Sequence, residues 1–252
     1  MNAVAVMGIG EYGKQLLGVS GPVMRRYADN IGADLVVLTE NKIKTPYTTA
    51  WPCGGNKFQI VDLLNGKYDR VFLVDADCIL SPACPDIFAE IVEDAIGVSV
   101  IPESQQRQMV IKMLRELGYG GVIDPQLDAA IISGGMLVCS RMHREIMNVA
   151  RLLYLHRQWL NEEPCVHFVL RASGVKLKLL SPRHNVLFVD YPEFDKLPDN
   201  HILKRINAQH GSSFKAAWRQ AYSVHYTLPA EIGNVTRRLQ LMFEGRKYFY
   251  GR

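Results

Sequence analysis

The sequence predicts an α/β fold in which a mixed, mostly parallel sheet is flanked by helices. Short valine-rich apolar runs alternate along the chain with segments of helical periodicity. Strands alternating with helices imply crossovers that cover both faces of a parallel sheet. The 252 residues are 48% hydrophobic, with no internal repeat, low-complexity tract or linker. One α/β domain of about 200–250 residues is therefore the economical expectation, and 1–252 is read as a single unit.

Ala3 to Gly8 reads as a buried first strand. Helical spacing of Leu16, Leu17, Val23, Met24, Tyr27 and Ile31 follows over 14–31, interrupted by Gly21-Pro22, since proline fits a helix start better than its middle. Ala33 to Thr39 is the second strand, 41–55 a loop, and Asn56 to Asn65 a helix closed by Gly66. Arg70 to Val74 is the clearest strand in the chain. Beyond it come a helix over Ile87 to Asp94, a strand over Ile96 to Ile101 and an amphipathic helix over 104–118. Ala129 to Cys139 reads as a strand in which Ser133-Gly134-Gly135 admits a close backbone approach. A long helix over 141–160 is followed by a second over Val166 to Ala172, after a break at Pro164. Short strands over Lys176 to Leu180, Val186 to Val189 and Ser223 to Thr227 and a helix over Val235 to Phe243 complete the pattern, with 190–212 as loop.

Charged residues make up 21% of the chain, which excludes a disordered polyelectrolyte. A net charge of +4 is too small to imply nucleic-acid binding, yet it suits an enzyme handling anionic phosphates. The five cysteines include no CxxC pair, so they read as buried apolar side chains in a reducing compartment. The N-terminal apolar run lacks a basic flank and is too short for a signal peptide or a membrane span, so a cytoplasmic protein is expected.

The chemistry concentrates in Arg-Val-Phe-Leu-Val-Asp75-Ala76-Asp77. Ligands of open α/β sheets bind outside the carboxyl ends of the strands, and here a buried strand runs into two carboxylates one residue apart. If the chain turns at Asp75, both acids converge, and a hard divalent cation relieves their repulsion. Mg²⁺ or Mn²⁺ so held bridges a diphosphate. Dehalogenase-type phosphatases also end a strand in Asp-x-Asp, but they follow it with Gly-Thr where this chain has Cys78-Ile79.

Several further blocks occur in order around this motif. They are Asn56-Lys57-Phe58-Gln59-Ile60-Val61-Asp62, Ile131-Ile132-Ser133-Gly134-Gly135-Met136, Glu162-Glu163 before Phe168-Val169-Leu170, Val175 to Asn185, and Val224-His225-Tyr226-Thr227. Together they resemble the glycogenin-like, family 8, retaining glycosyltransferases with the GT-A (Rossmann-like) fold, over about residues 3–230. The resemblance implies that Asp75, Asp77 and His225 are metal ligands and that Lys57 faces a nucleotide-sugar. It implies a sugar lying against Ser133, Gly134 and Gly135, and a carboxylate, Glu162 or Glu163, facing the anomeric carbon. Ile132 stands where the family has asparagine, Glu-Glu where it has Asp-Gln, and its late Lys-Pro-Trp is absent. Arg237 or Arg238 is the candidate phosphate-binding cation in that place.

Gly8-Ile9-Gly10-Glu-Tyr12-Gly13 also fits the GxGxxG turn of dinucleotide-binding proteins, with Glu40 ending the second strand as a ribose ligand. An NAD(P)-linked oxidoreductase is the competing reading, and it leaves Asp75 and Asp77 unexplained. In the resemblance, the same Gly8, Ile9 and Tyr12 loop holds the base, with Tyr12 stacking. The remaining six histidines have no mutual metal spacing, and Trp51, Trp159 and Trp218 read as core or rim. The tail over 236–252 mixes basic and aromatic residues and is compatible with a docked helix or with contact to an anionic membrane surface.

The sequence therefore predicts a metal-dependent hexosyltransferase. Its partners are a nucleotide-sugar donor, UDP-linked, and a hydroxyl acceptor on a glycan, a lipid-linked or a small molecule, with no nucleic acid. A protein that binds the nucleotide-sugar without transfer is the non-catalytic alternative.

Overall fold

The structure, a computed structural model, describes residues 1–44, 53–102, 130–156, 162–187, 221–226 and 235–250. The expected helix over 104–118, the loop over 190–212 and the three tryptophans lie outside the described residues.

In chain order the elements are β1 (Asn2–Met7), α1 (Gly10–Asn30), β2 (Asp34–Leu38), α2 (Cys53–Asn56), a 3-10 turn (Lys57–Gln59) and α3 (Ile60–Asn65). Next come β3 (Arg70–Asp75), β4 (Cys78–Leu80), α4 (Ile87–Glu90), β5 (Ile96–Pro102) and β6 (Ala130–Ser140). The last are α5 (Arg144–His156), α6 (Glu162–Ser173), β7 (Leu177–Leu179), β8 (Val186–Leu187), β9 (Ser223–His225) and α7 (Val235–Tyr250).

Six strands form one sheet in the order β2-β1-β3-β6-β5-β7, in which only β6 runs antiparallel to its neighbours. Alternation along each strand sorts side chains between two cores. Val4, Val6, Phe72, Val74, Met136 and Val138 face α1, whereas Ala3, Ala5, Val71, Leu73, Leu137 and Cys139 face the opposite layer. Strands buried on both faces must read as continuous apolar runs, and β1 and β3 do. β2 lies at the edge, and its Val37 is correspondingly exposed.

α1 runs unbroken through Pro22, contrary to the expected interruption. An interior proline costs about 3 kcal/mol. Burying each of Leu16, Val23 and Met24 on the sheet contributes about 1.5–3 kcal/mol, so the stripe outweighs it. Gly21, having no Cβ, also relieves the clash that a proline imposes on its predecessor. Pro164 likewise does not break α6, because it sits in the first turn, where backbone N–H groups have no intrahelical partner. α4 is a single turn rather than a helix to Asp94, capped by the Asp86 carboxylate accepting from Phe88 N at 2.9 Å.

Cys78, Cys84, Cys139 and Cys165 are free and buried, as expected. α7 docks through Arg238, Leu241, Met242 and Gly245 at helical spacing, the last against the Tyr226 ring. Among its described side chains Gln240, Phe243, Glu244 and Lys247 are exposed, while Leu241 and Met242 are buried in the core. No described helix is long and apolar enough to cross a membrane.

Candidate active site

β2 lies on one side of β1 and β3 on the other, so the strand order reverses at β1. A crevice opens at the carboxyl ends of strands at such a point. The register pairs Met7 with Asp75 and puts the first acid there.

After Asp75 the chain turns through Ala76, which is buried, and β4 leaves in a new direction. β4 pairs with β9 so that Cys78 opposes His225, and Tyr226 N donates to Asp77 O at 3.0 Å. This small ladder delivers His225 to the acids: its Nε2 lies 3.1 Å from Asp77 Oδ1 and 3.9 Å from Asp75 Oδ2. Lys57 Nζ approaches from the 3-10 turn, 3.0 Å from Asp75 Oδ2 and 3.1 Å from Glu162 Oε1. Arg238 Nη1 lies 3.4 Å from Asp77 Oδ2 and its guanidinium 5.6 Å from the Tyr12 ring centre.

β6 supplies the floor. Between Val98↔Leu137 and Val100↔Ile132 its register with β5 shifts, so Ser133 to Met136 bulge out of the ladder. Side chains satisfy the backbone N–H groups there. Ile132 N donates to His167 Nδ1 at 3.1 Å, Gly134 N to Glu163 Oε1 at 2.9 Å, and Gly135 N to Ser133 Oγ at 3.1 Å. Gly135 is sterically required, and Gly134 lies tight against the flexible ends of its neighbours. A Cβ on Gly134 would stand 3.0 Å from Lys57 Nζ, and one on Gly135 2.6 Å from His225 Cε1.

Charge is divided unevenly. Burial pushes the Asp75 carboxyl up more than Lys57 pulls it down, so it titrates above its ordinary range. Burial also acts on Asp77, but His225 and Arg238 outweigh it and hold that carboxyl low. Lys57 is opposed by burial, yet Asp75, Glu162 and Glu163 hold it firmly cationic. His225 is likewise opposed by burial and raised by Asp77. Burial and then the neighbouring Glu162 lift Glu163 to about 7.

Asp77, Cys78 and His225 bring ligand atoms within 4.8 Å of one another. Burial, followed by Asp77 and Asp75, holds the Cys78 thiol well above its ordinary range, and a soft sulfur donor is the poorest match of the cluster for a hard cation. Asp75, Asp77 and His225 remain, two carboxylates and one imidazole, a set whose hardness fits Mn²⁺ or Mg²⁺.

Solved structures share this architecture. One is a glycosyltransferase involved in glycosylation of the major capsid of PBCV-1, 10% identical, with a TM-score of 0.58 over 95% of this chain and 98% of that one. Mouse xyloside xylosyltransferase 1 matches with a TM-score of 0.53 at 10% identity, over 89% of this chain and 97% of its own. The galactosyltransferase LgtC, solved with donor and acceptor sugar analogues, does so with 0.53 at 12% identity, over 96% and 95%. The fold is that of GT-A glycosyltransferases. No protein-family model and no curated protein matches the chain.

Within the GT-A frame the structure brings Lys57, Asp75, Asp77, Glu162, Glu163, Ser133, Gly134, Gly135 and His225 into one cluster. The Gly8 turn lies at the end of β1, and its first two residues pack into the protein. Gly8 N donates to Leu38 O at 2.9 Å, and a Cβ on Gly8 would stand 2.1 Å from Leu17 Cδ1. Gly8 therefore serves helix packing, and Ile9 is buried with Met7 and Leu38. Tyr12, through Arg238, joins this turn to the acids. Of the two candidate arginines it is Arg238 that reaches Asp77, whereas the side chain of Arg237 lies outside the described residues. Asn185 and His167 also serve the site. Neither carries a sequence signal of its own, because each works through a contact that only the fold creates.

Proposed function

We propose that this protein transfers a hexosyl unit from a nucleoside-diphosphate sugar, UDP-linked, to a hydroxyl acceptor, and that it does so as a glycogenin-like, family 8 enzyme. The observation that carries this reading is the meeting of Asp75, Asp77 and His225 at the switch-point crevice, beside the cations Lys57 and Arg238. Mn²⁺ or Mg²⁺ held by those three ligands supplies positive charge for the diphosphate.

The chain's own residues do the rest. Lys57 and Arg238 offset phosphate charge as the bond between the anomeric carbon and the β-phosphate oxygen breaks and its electron pair leaves with the diphosphate. Tyr12 stacks on the base. The missing Cβ atoms at Gly134 and Gly135 let Lys57, His225 and both glutamates close on β6, and the sugar lies beside that cluster. Glu162, fixed by Lys57, faces the developing oxocarbenium-like charge. The acceptor oxygen forms the new bond, and Glu163, which titrates at about 7, takes its proton.

A thermal-shift panel tests the assignment with UDP, GDP, UDP-glucose, UDP-galactose and NADPH, each with and without Mn²⁺, on wild type and Asp77→Asn. A ligand that binds only the folded state raises the melting temperature. Stabilisation by one nucleoside diphosphate that requires Mn²⁺ and is lost in Asp77→Asn supports the proposal. Stabilisation by NADPH, indifferent to Mn²⁺ and to Asp77, overturns it.

A further inference from the structure

His225 Nδ1 lies 3.0 Å from Asn185 Oδ1, on the side of the ring away from the acids. The ring tautomer follows from the groups behind that amide. Ser99 Oγ donates its only proton to Met136 O at 3.3 Å, a carbonyl that can only accept. The Ser99 oxygen is then an acceptor, and Asn185 Nδ2 donates to it at 3.3 Å. This fixes the amide with Oδ1 toward the imidazole, so Nδ1 must carry a proton and donate it. The other nitrogen, Nε2, is the one turned to Asp75 and Asp77.

We infer that Asn185 is a positioning residue for the cation site. It keeps a proton on Nδ1, so that a divalent ion arriving between the acids takes the place of the proton that Nε2 shares with Asp77 Oδ1, and His225 ligates as the Nδ1–H tautomer. The relay Met136–Ser99–Asn185–His225 joins the β6 bulge, β5 and β9, so the bulge that bares Gly134 and Gly135 also orients the imidazole. A partner on the distal nitrogen fixes the ring orientation of a ligating histidine and raises its basicity.

The inference rests on the metal-site reading above, and the test separates the two. Free Mn²⁺ is counted by electron paramagnetic resonance during titration of wild type, Asn185→Leu and Asn185→Asp. Asn185→Leu is expected to weaken Mn²⁺ binding about 10–100-fold. Asn185→Asp keeps the acceptor oxygen and is expected to restore most of it. In parallel, long-range ¹H–¹⁵N correlation on Mg²⁺-saturated wild type, which needs no variant to fold, is expected to show His225 protonated at Nδ1 alone. A proton on Nε2 with Nδ1 bare overturns the inference, as does a folded Asn185→Leu that binds Mn²⁺ like wild type. Wild type that binds no Mn²⁺ removes the metal reading and this inference with it.

Discussion

Gly135 and His225 stand so close that a Cβ on the glycine would lie 2.6 Å from the imidazole Cε1. The ring cannot swing away freely, since Asn185 holds one nitrogen and Asp77 the other. Gly135→Ala is therefore expected to displace His225 at an overpacking cost of about 1–3 kcal/mol. Differential scanning calorimetry would show a lower Tm, and the Mn²⁺-dependent shift with UDP would disappear. An unchanged shift would place the cation elsewhere.

Lys57→Met leaves Asp75 and Glu162 without their shared cation in a mostly buried setting. Breaking such a pair from one side costs about 3–5 kcal/mol. Urea denaturation at neutral pH should show a loss of this order. Asp75→Asn added to Lys57→Met should recover part of it, because it removes one of the stranded charges.

Glu163 gives a pH signature. Its carboxyl titrates at about 7 in the folded chain against 4.5 as its ordinary value. Between those two values the folded state holds a proton that the unfolded state has lost, so stability falls as pH rises through that window. Glu163→Gln keeps an acceptor for Gly134 N and abolishes the titration. The melting temperature of wild type relative to this variant is expected to decline from pH 4.5 to 7 and level off above; parallel curves would refute the shift.

Arg238→Leu removes the cation that lies between Asp77 and Tyr12. If it contacts phosphate, UDP affinity measured calorimetrically with Mn²⁺ present falls by about tenfold, the worth of one charge-assisted hydrogen bond. Mn²⁺ affinity alone changes little. Equal loss of both would mean that Arg238 serves only to hold Asp77 in place.

The layered sheet was legible because β1 and β3 must be apolar on both faces and therefore stand out in the sequence. Asp75 and Asp77 were legible because charge at the end of such a strand has no packing role. Pro22 misled because a local propensity was weighed without the Leu16, Val23 and Met24 stripe that overrides it. Gly8 is ambiguous in the sequence because a glycine fits close helix packing as well as close approach to a phosphate, and its nearness to Leu17 becomes visible only in the fold. The β6 bulge was visible as Ser-Gly-Gly, but its partners His167 and Glu163 lie on α6, and Asn185 and Ser99 meet only through tertiary register.

The pairing of β4 with β9 has a bearing on biosynthesis. Asp77 is translated early, but His225 reaches it only by closing a loop across most of the chain, and Arg238 comes later still. Contacts of such long sequence separation form late, because their closure entropy must be met first. A nascent chain on the ribosome thus carries the carboxylate pair without its imidazole or its guanidinium. Asp77 gains both partners only once residue 238 has emerged.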